Sequence, residues 1–229
     1  VRHFEQELEK LKSKLLEMSA LVESAVYRSV QGVVEKNEDL AQQVLRNEGR
    51  INDLEMEIDD LAISILALQA PLAADLRLVT AAIKINNDLE RMGDLSVSIA
   101  QSAMALMKEP VIRPLIDIPH IAGLVRSMVR KALDSFVNRD ADLARSVLAS
   151  DDAVDNMRTA SYHELISFME ANPQQIGQAL YLLSVVRNLE RIADHSTNIA
   201  EDVLFLVKGI DVRHHNEERT QAAARQQTT

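Results

Sequence analysis

The stretch Asn87-Asp88-Leu89-Glu90-Arg91-Met92-Gly93-Asp94 returns 100 residues later as Arg187-Asn188-Leu189-Glu190-Arg191-Ile192-Ala193-Asp194. An offset of that size divides a 229-residue chain into two copies of one unit, each long enough to carry its own core. Each copy keeps a glutamate and an aspartate four positions apart. On a helix those two side chains stand one turn above each other on the same face.

The helix is the expected element because aromatic residues make up only 3% of the chain, Trp is absent, and the breakers Gly (6) and Pro (5) are scarce. Aliphatic residues dominate the 47% hydrophobic content, and no alternating strand pattern bounded by turn residues stands out. Residues 5–34 hold a seam of Leu8, Leu11, Leu15, Met18, Val22 and Ala25 at spacings of three and four. Asn37 follows as an N-cap candidate, and a second seam runs through Leu40, Val44, Ile51, Leu54, Ile58, Leu61, Ile65 and Leu68. Pro71 turns the chain into a third helix carrying Leu78, Ala82, Ile85, Leu89, Met92 and Ile99.

Pro110, Pro114 and Pro119 then mark a connection, after which the scheme restarts. A fourth helix is expected over 121–137, a fifth over 141–170, and a sixth from the Asn172-Pro173 cap to a stop at Gly209. The expected fold is all-α, two tandem pseudo-symmetric three-helix bundles of six long up-down-up helices. Its divisions are a first bundle over 1–109, a connection over 110–119, a second bundle over 120–209, and a polar, loose tail over 210–229.

Charge narrows the function classes. Acids outnumber bases 35 to 25, a formal net charge of −10, and no basic patch appears that would serve nucleic acid or anionic lipid. No apolar run approaches the roughly 20 residues that span a bilayer, so direct membrane insertion is not expected. Zero cysteines fit a reducing, cytoplasmic setting and remove thiolate metal sites.

Folding the second and third helices about Ala70 brings Glu48 and Asn52 opposite Glu90 and Asp94. Folding the fifth and sixth about Asn172 brings Asp151 and Asp155 opposite Glu190 and Asp194. Clustered carboxylates repel by a few tenths of a kcal/mol per pair, so something should compensate them. A hard cation held by oxygen ligands is one answer, magnesium, calcium, manganese and iron all being suited. Ion pairs from Arg91 and Arg191 are the other. Asn52 in place of a carboxylate makes the first site the weaker. The acids Asp53, Glu55, Glu57, Asp59 and Asp60 read as an exposed face around the seam. No phosphate-cradling glycine loop, nucleophile elbow or zinc-protease motif is present, and the histidines are scattered, so no enzyme constellation emerges. A helical scaffold without metal and a carboxylate-bridged metalloenzyme are the alternatives.

The combination of Ala73-Ala74-Asp75-Leu76-Arg77, both Leu-Glu-Arg copies, Val207-Lys208-Gly209 and Asp211-Val212-Arg213-His214, with Met18-x-x-Leu21-Val22-Glu23 early in the chain, resembles the PhoU family of bacterial phosphate-regulation proteins. The resemblance runs over most of the chain. It implies a negative regulator of phosphate uptake and of the phosphate-starvation regulon. Such a regulator couples the ATPase of the phosphate ABC transporter to a membrane-bound sensor histidine kinase. The resemblance also implies iron or zinc clusters at the paired acid motifs, here Glu90 and Asp94 with Glu48, and Glu190 and Asp194 with Asp151 and Asp155. A homodimer is expected. The chain departs from the family pattern at Asn52, and at Ala193 where glycine is usual.

Overall fold

A computed structural model describes residues 2–109 and 116–209. Most of the expected connection and the tail lie outside the described residues. The elements are α1 (Arg2–Glu35), α2 (Glu38–Gln69), α3 (Ala74–Met107), α4 (Ile118–Asn138), α5 (Ala141–Leu148), α6 (Asp151–Ala171) and α7 (Ile176–Lys208). A 3₁₀ turn, Pro173–Gln175, precedes α7. No strand occurs among the described residues.

The turns repeat along with the helices. Asn37 caps α2 by accepting a hydrogen bond from the Leu40 amide at 3.2 Å, and Asp140 caps α5 by accepting from the Asp142 and Leu143 amides at 2.9 and 3.0 Å. Lys36 (φ 52°) and Arg139 (φ 51°), immediately before those caps, both adopt the left-handed conformation. That conformation is costly for residues bearing a Cβ, and it reverses the chain in a single step. Gly209 ends α7 with φ 68°, as the stop signal predicts.

Three departures from expectation have physical reasons. The fifth helix is broken into α5 and α6 without glycine or proline. Ser146 and Ser150 donate their hydroxyls to the carbonyls of Leu143 (2.7 Å) and Ser146 (2.8 Å), and Asp151-Asp152 suit the positive end of a new helix. The six long helices are therefore six arms, one of them kinked. Asn172 does not cap α7: its amide donates back to the Phe168 carbonyl at 3.0 Å and closes α6. Leu68, assigned to the second seam, is 79% exposed, because the end of α2 runs past the core.

The α1–α2–α3 bundle and the α4–α5/α6–α7 bundle pack chiefly through α3 against α7, with a second contact between α1 and α4. Both copies of the repeat supply this centre. Leu89 and Leu189, Met92 and Ile192, Ile99 and Ile199, and Ala100 and Ala200 are all fully buried. Ser96 and Ser196 answer each other too, each donating its hydroxyl to the carbonyl four residues back, at 2.8 and 2.9 Å.

Candidate functional site: two carboxylate patches

A Cβ added at Gly93 would stand 3.3 Å from both Cδ1 and Cγ2 of Ile51, so α2 and α3 pack closely there. Seven residues earlier, the Asn86 amide donates to the Glu55 carbonyl (3.0 Å) and to Asp59 Oδ1 (2.9 Å). These contacts fix the antiparallel register. Glu90, three residues before Gly93, comes level with Leu54 and Glu55, and Asp94 comes level with Arg50. The pairing lies one helical turn from the expected one, because Ala70 takes the left-handed conformation and the chain continues through Pro71 to Ala73 before α3 begins. Glu48, half-buried, and Asn52, exposed, accordingly straddle the level of Asp94 rather than facing Glu90.

The electrostatics agree with this register. Burial, the neighbouring Asp94 and, from across the hairpin, Glu55 raise the Glu90 carboxyl above the ordinary glutamate range, with Arg91 opposing. Arg91 bridges the pair, its Nε lying 3.4 Å from Glu90 Oε2 and its Nη1 3.5 Å from Asp94 Oδ2. Glu55 and Asp59, read from sequence as an exposed acidic face, thus reach the hairpin contact. The signal for them was present: they share the four-residue spacing of Glu90 and Asp94.

In the second bundle the four expected acids do come together. Burial, then Asp155 and Asp194, push the Asp151 carboxyl up. Burial, then Glu190 and Asp155, push Asp194 up, partly offset by His195 and Arg191. Asp151 and Glu190 are half-buried, whereas Asp155 and Asp194 reach the surface. Arg158, which sequence reasoning missed, sets its Nε 3.3 Å from Glu190 Oε1, close enough for charge attraction but without an aligned hydrogen bond. Among the described residues no three carboxylate or imidazole groups already converge on one point as metal ligands do. The patches are gatherings of like charge on adjacent helix turns.

A polar seam ties the second patch to the bundle interface. His195, directly after Asp194, places Nδ1 2.7 Å from Oδ1 of the buried Asp88, and the Asn198 amide donates to the same oxygen at 3.1 Å. One turn along, Lys84 Nζ lies 2.9 Å from Oδ1 of the buried Asp202. These cross-bundle pairs were invisible to sequence reading, because partners more than 100 residues apart share no local pattern.

The PhoU domain model matches this chain twice, over residues 15–103 and 118–203. The chain belongs to the PhoU family. Among curated relatives of that family, the phosphate-specific transport system accessory protein PhoU homolog of Pseudomonas putida is 42% identical, over 93% of this chain and 84% of its own length. The homolog from Clostridium acetobutylicum is 33% identical, over 91% of this chain and 96% of its own. The crystal structure of PhoU from Pseudomonas aeruginosa superposes with a TM-score of 0.88 at 40% identity, covering 90% of this chain and all of that one. PhoU from Streptococcus pneumoniae, described as a phosphate transport system regulatory protein, gives 0.84 at 28% identity, covering 91% of this chain and 99% of that one. No helix among the described residues of this PhoU chain is long and apolar enough to cross a membrane.

Proposed function

We propose that this chain is a non-enzymatic, cytoplasmic negative regulator of phosphate uptake and of the phosphate-starvation regulon. In this reading it works as an adaptor between the ATPase of the phosphate ABC transporter and a sensor histidine kinase, needs no chemistry of its own, and acts as a homodimer. The observation that carries the reading is membership of the PhoU family through two domain matches, with relatives named as accessory to phosphate transport.

The carboxylate patches supply the reading's second part, a cation on each bundle. Oxygen donors alone suit a hard ion such as magnesium, manganese or iron, zinc being the choice that resemblance adds. The second patch fits the chemistry better. Burial first, and then the neighbouring carboxylates, raise the Asp151 and Asp194 pKa values, and a partly desolvated gathering of negative charge is the environment a cation relieves. Asp151, Asp155, Glu190 and Asp194 would hold it after turning toward a common centre. A bound ion would neutralise the patch and pin α6 to α7. In the first patch Glu90, Asp94 and Glu48 remain the proposed ligands, Glu55 is added by the register, and Asn52 contributes no carboxylate.

A deletion strain carrying a phosphate-starvation reporter tests the regulatory role. The reporter should be derepressed in high phosphate and silenced again by the intact gene; a reporter that stays silent on deletion removes the proposal for this protein.

A further inference from the structure

Two stretches of the sequence take no part in the carboxylate patches: Ala73-Ala74-Asp75-Leu76-Arg77, and Val207-Lys208-Gly209 with the Ile210-Asp211-Val212-Arg213 that follows it. The register of α3 against α7 brings them to one end of the junction between the bundles. Asp88 accepts from Asn198 at 3.1 Å and Lys84 meets Asp202 at 2.9 Å, so the two helices run antiparallel with their steps of four matched. Arg77 stands seven residues before Lys84, close to two turns, on the same face of α3. Seven residues beyond Asp202 lies Gly209, where α7 ends.

Arg77 lacks what Lys84 has. Its Nε is buried and without a hydrogen-bond partner among the described residues, an arrangement that costs stability until a partner is supplied. Asp75, two residues away on the same helix, points to another side. On α2 the level of Arg77, set by the Asn86 contacts with Glu55 and Asp59, runs through residues 64–68, which include no acid. After Asp202 the next acid in the chain is Asp211. Gly209, at φ 68°, turns the chain away from the helix axis, and two extended residues carry it about 7 Å further.

At the same end, α1, α3, α4 and α7 border a pocket of about 110 Å³, to which they contribute Leu16, Leu78, Val137 and Leu206 respectively. Leu16 and Val137 are left 42% and 51% exposed. The charged residues that line the pocket, Lys12 and Arg139, are both cations. Ile210 and Val212 are the only large apolar residues after Gly209, and they flank Asp211. In extended chain successive side chains point to opposite sides, so both apolar residues can enter the pocket while the acid between them turns to the arginine. We propose that residues 210–213 dock as a strap across this end of the bundle junction, Asp211 pairing with Arg77 while Ile210 and Val212 cover Leu16, Leu78 and Val137. The strap ties the end of α7 to α1, α3 and α4 together. It depends on neither the adaptor nor the cation reading.

Because the chain has no cysteine, one introduced thiol reports on one position. In the full chain, Val212→Cys should react with a maleimide at least tenfold more slowly than Thr220→Cys, which lies beyond the strap. Arg77→Glu should bring the Val212→Cys rate up to that of Thr220→Cys. Adding Asp211→Arg should restore the slow reaction, a rescue that a general loosening of α3 does not give. Trypsin reads the same segment without any substitution: the chain should be cut after Arg219 and Arg225 at least tenfold faster than after Arg213. Equal cutting at the three sites, a Val212→Cys rate unmoved by Arg77→Glu, or no rescue by the exchanged charges overturns the strap. Labelling of Val212→Cys over a hundredfold range of protein concentration addresses a second copy as the surface that is covered. An unchanged rate is expected; protection that disappears on dilution puts the segment on a neighbouring molecule and overturns the pairing within one chain.

Discussion

The two bundles share a repeat and differ in how they treat its acids. In the first, the Glu90–Asp94 pair is bridged by Arg91, Asp59 is engaged by the Asn86 amide, and burial pushes the Glu90 carboxyl up. In the second, four acids face one another across α6 and α7, both Asp151 and Asp194 are pushed up, and Arg158 reaches only Glu190. The duplicated motif therefore does not specify duplicated electrostatics. What surrounds the motif decides whether its charge is settled internally or left for a ligand.

The comparison assumes that the bundles, however different their surfaces, are one cooperative unit through α3 and α7. Met92 and Ile192 occupy matching, fully buried positions on those helices. Met92→Ala and Ile192→Ala should each lower stability by about 2–5 kcal/mol. Each should shift a single unfolding transition seen by calorimetry. Two separated transitions, with each substitution moving only its own, would show the bundles to be independent and would confine any coupling of the patches to one bundle at a time.

The next largest effect distinguishes the patches directly. Asp194→Asn should weaken binding of manganese, measured by titration and by metal content of the purified protein, at least tenfold, equivalent to about 1.4 kcal/mol. Asp94→Asn should weaken total binding less, because Arg91 already offsets the first patch. Equal losses from the two substitutions would erase the proposed inequality, and no loss from Asp194→Asn would remove the cation from the second patch.

The helices themselves were legible because burial imposes a period. The seams of α1 and α3, the caps at Asn37 and Asp140 and the stop at Gly209 are each set by neighbours a few residues away. What depended on the geometry of a single turn was not. Placing the apex at Ala70 rather than over the Pro71–Ala73 segment shifts the hairpin by one helical turn, which exchanges Glu55 for Glu48 opposite Glu90. The break between α5 and α6 likewise arises from serine hydroxyls competing for backbone carbonyls, an effect that the apolar period does not record. The acids of the second bundle came out level despite that break, since Asp151 and Asp155 lie beyond it on α6, which runs unbroken to the turn before α7.

The smallest effect concerns pH. Asp151 and Asp194 have folded-state pKa values above the ordinary aspartate value of 3.8, so the folded protein holds their protons more tightly than the unfolded chain does. Their contribution to stability is therefore favourable as pH falls through the raised values and is lost as pH rises above them. Above the raised values both are ionised and the repulsion is fully present. In the metal-free protein, Asp151→Asn/Asp194→Asn should thus be more stable than wild type at pH 7 by a few tenths of a kcal/mol, in line with like-charged neighbours on helices. The advantage should shrink as pH is lowered through the upper carboxylate range. Because Glu57 is shifted the opposite way by Lys14 and Arg50, the quantity to measure is the difference between variant and wild type across pH, in which that background cancels. Addition of manganese at pH 7 should invert the order, wild type gaining a melting shift that the variant lacks. A variant less stable than wild type without metal would show that the protein's own cations already settle these charges, and the second patch would then resemble the first.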